Sequence, residues 1–191
     1  MRVDDRGFRR RAEGAGVVHR AFRGGSRATW ILALGLAGAG CRPAPAPPLA
    51  PACPAPGVDT AGWQLKRGTD FSFRIPPGYR ERESRPVDQE IQWYHGPTGT
   101  VHYSLGPYTD PPQAGLPGFS QCTESVGGRP AQVSTYRDPR SGRYVAAGFW
   151  DLGQGAMGRV GLRVTATAAH PRHQAEMLAV VRSVEIVPPR R

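Results

Sequence analysis

The chain has 191 residues and a formal net charge of +10, and nearly all of its basic residues are arginine, since Lys66 is the only lysine. Eight arginines against three acidic residues precede Cys41, so half of the net charge lies in that first segment. No run of alternating basic and aromatic residues is present, which argues against a nucleic-acid partner.

Residues 1–40 have the pattern of an export signal. Several arginines precede a short apolar run, Ala28–Ala39, and a charged segment followed by an apolar one is typical of a signal peptide. As a helix this run would be about 18 Å long, whereas the hydrocarbon core of a bilayer is about 30 Å thick. We therefore expect the segment to be cleaved during export rather than to remain as a transmembrane helix.

Two cleavage sites compete at the end of this run. Ala39 and Gly40 directly precede Cys41 and resemble the lipobox of bacterial lipoproteins, in which the cysteine is lipidated and becomes the new amino terminus. Ordinary cleavage after Ala39 would instead release a soluble secreted or periplasmic protein. Lipidation of Cys41 leaves Cys53 and Cys122 as an even pair that can form one disulfide outside the cytosol. This parity favours an exported lipoprotein, held at a membrane of the cell envelope by its lipid.

A segment rich in proline and alanine, residues 41–61, follows the signal. Closely spaced prolines prevent helices and sheet ladders and favour an extended polyproline II conformation. The segment is therefore either a stalk between the membrane and the domain or a disordered tail without a spacing role. A disulfide between Cys53 and Cys122 would attach part of it to the domain.

Residues 62–188 are expected to form a single domain, because apolar residues there recur mostly with the period of two that is typical of strands. Turns at 96–99 and 127–128 indicate two hairpins. Only after Pro171 does the spacing become helical. The predicted class is α+β, an antiparallel sheet of about six to seven strands with one C-terminal helix packed on one face. The strand segments are 71–75, 91–93, 101–105, 122–126, 131–135, 144–152, 160–168 and 185–187.

Three segments of this domain resemble small lipoprotein domains of the Mog1/PsbP-like type. They are Phe71–Tyr79 (FSFRIPPGY), Gly127–Ala131 (GGRPA) and Val181–Val184 (VRSV) at the end of the predicted helix. The similarity spans most of Trp63–Val187. It implies a fold, and a role as an assembly factor or binding module more often than as an enzyme. It transfers no catalytic residue to this chain.

Neither a nucleotide nor a metal is expected as cofactor. Gly153–Gly158 (GQGAMG) matches the dinucleotide-binding fingerprint, but that motif requires a helix directly after it. Here the alternating residues that follow predict a strand, so we interpret the glycines as a hairpin tip. His170, His173 and Glu176 lie at helical spacing, and we interpret them as surface residues because no second pair of ligands accompanies them.

Aromatic residues concentrate in the first predicted hairpin. Alternation is expected to direct Trp93 and Tyr103 to one face and Tyr94 to the other, which divides the group between core and surface. Together with a second exposed tyrosine and two arginines on predicted turns, Tyr94 would then be free to contact a glycan or an envelope protein. The surface-contact candidates are Tyr94, Tyr108, Arg137 and Arg140.

The predicted function is a non-catalytic binding or assembly module of the cell envelope. No catalytic residues are assigned, because the sequence contains no GxxxxGK[ST], HExxH or GxSxG motif. The alternative is an envelope hydrolase in which folding brings two carboxylates into one cleft. The carboxylates considered for that role are Glu81, Glu83, Asp88 and Glu90.

Overall fold

The computed structural model describes residues 52–53, 57–84 and 88–187. All of them belong to one compact unit, residues 44–191. The predicted signal peptide, the lipidation of Cys41 and most of the proline-rich segment therefore lie outside the described residues.

The described chain contains ten strands and one α-helix. The helix, α1, spans Gln174–Arg182 and is preceded by a 3-10 turn at Pro171–His173, so Pro171 occupies the first turn, as predicted. The strands are β1 Gln64–Arg67, β2 Phe71–Ile75, β3 Arg80–Arg82, β4 Glu90–His95, β5 Gly99–Gly106, β6 Ser120–Val126, β7 Arg129–Arg137, β8 Tyr144–Gly155, β9 Gly158–Ala168 and β10 Glu185–Ile186.

Two antiparallel sheets are formed. Seven strands make the large sheet in the order β3-β4-β5-β9-β8-β7-β6, and β1-β2-β10 make a small one. The α+β class with one C-terminal helix is confirmed. The seven strands of the large sheet agree with the predicted six to seven, whereas the separate small sheet, in which β2 pairs with β1 and β10, was not predicted. Strands β1 and β3 were not predicted, since they are polar and mostly exposed and lack an apolar alternation.

The core lies between one face of the large sheet and the layer formed by α1 and β2. From the sheet, Trp150 and Leu162 are fully buried, as is Val181 from the helix. The indole nitrogen of Trp150 donates a hydrogen bond of 3.3 Å to the carbonyl oxygen of Val126, so its polar group is satisfied inside the core. The ring of Phe71 packs edge-on against Tyr103 at 4.8 Å. We call this covered side of the large sheet the core face.

Close approach of the helix to the sheet depends on a glycine in β8. A Cβ atom at Gly148 would lie 2.5 Å from the Trp150 ring and 2.6 Å from a methyl group of Val181. Contacts that short do not occur in folded proteins, so a side chain at this position would push α1 away from β8. Gly148 therefore permits the packing distance between the helix and the sheet.

The predicted disulfide between Cys53 and Cys122 is present, with a Cα–Cα distance of 6.1 Å. It attaches the start of the described chain to β6. Next to it, Ala52 is fully buried, and its carbonyl oxygen accepts a hydrogen bond of 3.0 Å from the Arg182 guanidinium. Arg182 also pairs with Glu124 of β6 at 2.8 Å. Part of the proline-rich segment is thus packed on the domain near the end of α1.

Removal of this disulfide should destabilise the domain. The bond joins residues that are 69 positions apart, and closure of a loop of that length is worth about 4 kcal/mol in the chain-entropy model. We expect the double variant Cys53→Ala, Cys122→Ala to show a free energy of unfolding in urea that is lower by about that amount. Wild-type protein unfolded under reducing conditions is the matched control and should behave like the double variant. Equal stability of the oxidised and reduced proteins would contradict the prediction.

Candidate ligand-binding site

The structure corrects the predicted positions of the aromatic residues in the β4–β5 hairpin. Trp93 is paired with His102 in the ladder, and Tyr103 with Gln92, so Trp93 and Tyr103 point to opposite faces. Tyr94 is not a surface residue: it is only 3% exposed and packs against the ring of Phe73 at 5.9 Å. Burial, followed by the negative charges of two glutamates, raises its pKa to about 12.

The other three surface-contact candidates do not form one site. Tyr108 is 70% exposed beyond the end of β5, whereas Arg137 lies at the opposite end of the sheet. The Arg137 Nε donates a hydrogen bond of 2.9 Å to the carbonyl oxygen of Gly142, and the guanidinium lies 5.8 Å from the centre of the Tyr144 ring. Arg140 is exposed on the turn that follows β7. The two ends are seven residues apart along β9, which corresponds to about 23 Å.

The side of the large sheet opposite to the core face carries polar residues in β5 and β9, whereas neighbouring β8 contributes the buried Val145, Ala147 and Phe149 to it. In β5 the residues on this side are His102 and Ser104, and in β9 they are Arg163 and Thr165. Residues 107–119, which connect β5 to β6, run along this side: the Thr109 carbonyl oxygen lies 2.5 Å from the place where Gly161 would carry a Cβ. We call this side of the sheet the polar face.

Five buried polar atoms of the described residues have no hydrogen-bond partner, and the residues that carry them belong to β5, to β9 and to the segments that flank β4 and β5. Ser104 is only 5% exposed and Thr109 only 6%. The five atoms are Gln89 Oε1, His102 Nδ1, Ser104 Oγ, Thr109 Oγ1 and Arg163 Nε.

Sheet register and loop contacts bring these residues together. Ser104 of β5 is the direct ladder partner of Arg163 of β9. The Arg163 guanidinium donates a hydrogen bond of 3.2 Å to the carbonyl oxygen of Asp110, one residue after Thr109. The Cβ of Gln89 lies 2.7 Å from the place where Gly106, two residues after Ser104, would carry its own Cβ. The absence of a side chain at Gly106 therefore leaves room for Gln89 at the site.

Trp93 borders the site. Its ring stacks on the imidazole of His102 with a centroid distance of 4.1 Å and an interplanar angle of 20°, and 37% of the residue remains exposed. Burial, with a smaller contribution from the positive charge of Arg163, lowers the pKa of His102 from 6.5 to about 4. At neutral pH the imidazole is therefore uncharged, and Arg163 supplies the positive charge of the group.

Of the carboxylates considered for a hydrolase, Glu81 and Glu90 both lie near Tyr94 and raise its pKa, whereas Glu83 and Asp88 are exposed. Glu90 is on the core face, where it accepts hydrogen bonds of 2.6 Å from the hydroxyl groups of Tyr103 and Thr69. Glu81 is exposed on β3. Among the described residues, no three His, Cys, Asp or Glu side chains are arranged to hold a metal ion.

A cavity with a volume of about 350 Å³ lies near Trp63 and Pro76. Here the polar groups bond to one another. The Tyr79 hydroxyl lies 2.8 Å from that of Thr98, which donates a hydrogen bond of 3.0 Å to Glu176. His173, the last residue of the 3-10 turn before α1, lies 3.4 Å from the same carboxylate. None of the buried polar atoms without a partner among the described residues belongs to this cavity, whereas Ser104 and Arg163 on the polar face carry such atoms.

The GQGAMG segment forms the predicted hairpin tip. Gly155 of β8 is paired with Gly158 of β9, so the chain leaves the glycines as a strand. No helix follows that would direct amide groups toward a pyrophosphate. The polar group on β5 and β9, in contrast, was not predicted as a site. The sequence signal was present, because His102 and Ser104 alternate with buried apolar neighbours, but a polar alternation is equally typical of a solvated face.

Comparisons with known proteins leave the family open. No family model and no curated protein matches the chain. Among solved structures, the chain is similar to a crystal structure of a protein from Bacteroides thetaiotaomicron, with 16% sequence identity and a TM-score of 0.36. The match covers 62% of this chain and 45% of the other, so this chain spans less than half the length of the structure that it matches.

The low pKa of His102 should make the domain less stable in acid. Between pH 7 and pH 5 the unfolded state takes up a proton on this residue, whereas the folded state does not, because its pKa is about 4. The stabilisation present above pH 6.5 is therefore lost as the pH falls, by about 2 kcal/mol at pH 5. Urea unfolding of wild type and of His102→Gln at both pH values measures this, and the variant should lose less stability. His95, the last residue of β4, is exposed, so His95→Gln is the matched control and should behave like wild type.

Proposed function

We propose that the chain is an exported, lipid-anchored binding module of the bacterial cell envelope, and that the polar face of its large sheet binds a small ligand. The observation that carries the binding role is the group of five buried polar atoms without partners. Folded proteins pair nearly all buried polar groups, because each unpaired one costs about 1–3 kcal/mol. A ligand that satisfies several of these atoms at once would recover that free energy on binding.

The placement of these atoms supports a binding site more than their number does. Isolated unsatisfied groups occur in most proteins, but here they come from two adjacent strands, from the loop beyond β5 and from the residue before β4. Ser104 and Arg163 belong to paired strands, and binding groups on strands are held in position more precisely than groups on loops. Ordered water is the simplest occupant of such a place, and a polar ligand binds by displacing it.

An envelope location is supported by several observations of different kinds. The sequence has a short apolar segment and a lipobox-like Ala39-Gly40-Cys41. The disulfide between Cys53 and Cys122 is of the type that persists in oxidising compartments. The resemblance to Mog1/PsbP-like lipoprotein domains is consistent with a binding or assembly role. Among the described helices, none has the length and apolar character needed to cross a membrane.

The lipid anchor is tested by the intact mass of protein extracted from membranes. We expect a chain that begins at Cys41, carries acyl groups and lacks two hydrogens because of the disulfide. The variant Cys41→Ala should lose the acyl groups and leave the membrane fraction. Wild-type protein found in the cytosol with its first forty residues intact would contradict the proposed location.

Occupancy of the polar face is tested with the small-molecule fraction of an envelope extract. A ligand that binds only the folded state raises the thermal midpoint, and at one hundred times its Kd it stabilises by about 2.7 kcal/mol. The variant Ser104→Leu fills the site and should abolish the rise. Thr123→Leu, an exposed residue on the same face of edge strand β6, is the matched control and should retain it. An equal rise in both variants would place the ligand elsewhere.

A further inference from the structure

We infer that the ligand of the polar face is a small hydroxylated molecule with an oxyanion, a carboxylate or a phosphate, held against Arg163. This inference rests on the proposed function and names the class of ligand for the same site. Three features of the described residues support it: the charge of Arg163, the mixture of unpaired donors and acceptors, and the residues around the site.

Arg163 requires an acceptor. A guanidinium only donates hydrogen bonds and stays charged at every physiological pH. One of its terminal nitrogens is used by the carbonyl oxygen of Asp110, whereas its Nε is buried without a partner. Among the described residues, no carboxylate forms an ion pair with it. An oxyanion would complete the group, since hydrogen bonds between charged partners are about twice as strong as neutral ones.

The other unpaired atoms favour a ligand that also carries hydroxyl groups. Ser104 and Thr109 can each donate and accept, and they lie beside Arg163 and beside Asp110. Gln89 Oε1, in contrast, can only accept, so a bare anion would leave it unsatisfied. Hydroxyl groups next to the oxyanion supply the donors that are missing. A sugar acid and a sugar phosphate are the simplest molecules with both kinds of group.

The residues around the site are suited to such a molecule. Arg80 and Arg82 of β3 are exposed and pair with His95 and Trp93 of β4, which places them on the polar face. Positive charges of this kind attract anions over a longer range. The exposed part of Trp93 adds an apolar surface against which the carbon skeleton of a sugar can pack.

Calorimetric titration of the full chain at pH 7 tests the inference with three probes: D-glucuronate, D-glucose 6-phosphate and D-glucose. We expect at least one of the two anions to bind, and glucose to bind at least about tenfold more weakly, because it lacks the charged acceptor. The order of the two anions distinguishes a carboxylate from a phosphate ligand.

Three variants locate the binding. Arg163→Gln removes the positive charge and should lower the affinity for the anion by about tenfold or more. Ser104→Ala should lower the affinity for the anion by a smaller factor. Because this variant loses only one hydroxyl group, β5 stays intact. Arg159→Gln is the matched control from the same strand: its guanidinium is exposed and paired with Asp151, so affinity should stay within about twofold of wild type. The urea transition of each variant shows that it is folded.

Three results would overturn the inference. If neither anion binds, the ligand is not of this class. If glucose binds as tightly as the anion that binds, the site recognises a neutral molecule. If Arg163→Gln leaves the affinity of the anion unchanged, the anion is not held against Arg163. In these cases the proposed binding role still stands when the envelope fraction stabilises wild type and not Ser104→Leu, so the two failures are distinguishable.

Discussion

The alternation of side chains along β5 and β9 gives the large sheet two faces of different chemistry. In β9, Leu162 and Val164 are fully buried on the core face, whereas Arg163 between them points to the polar face. In β5, Val101 and Tyr103 face the core and His102 and Ser104 do not. Because neighbouring residues of a strand must point in opposite directions, packing of the helix layer on one side fixes which residues line the other. The candidate site is therefore a consequence of how the core is built.

Much of the fold follows from patterns that are visible in the sequence. The strands with apolar alternation, the hairpin turns and the late change to helical spacing predict the α+β class, and the even cysteine pair predicts the disulfide. Each of these signals is local or depends on a count. What a local signal does not contain is register. Trp93 and Tyr103 were expected on one face, and the ladder places them on opposite faces because Trp93 pairs with His102.

The candidate site shows the same limit more strongly. Gln89 and Arg163 are 74 positions apart in the printed sequence. The antiparallel pairing of β9 with β5 places Arg163 beside Ser104, and β5 is in turn paired with β4, the strand that follows Gln89. Neither residue belongs to a motif. Each would also be an ordinary solvated side chain if the loop after β5 ran elsewhere. Their significance depends on burial and on missing partners, which are properties of the folded chain.

The disulfide at β6 has a mechanical consequence. A force that reaches the domain through the residues before Cys53 is passed to Cys122 and Ser120 of β6, on one edge of the large sheet, and to Arg182 at the end of α1. Strand β5 lies four strands further along the sheet, at a spacing that amounts to about 19 Å. The hydrogen bonds of the intervening strands separate this edge from the strand that carries Ser104. If the chain is tethered through these residues, as we propose, the proposed ligand site lies away from the point of attachment.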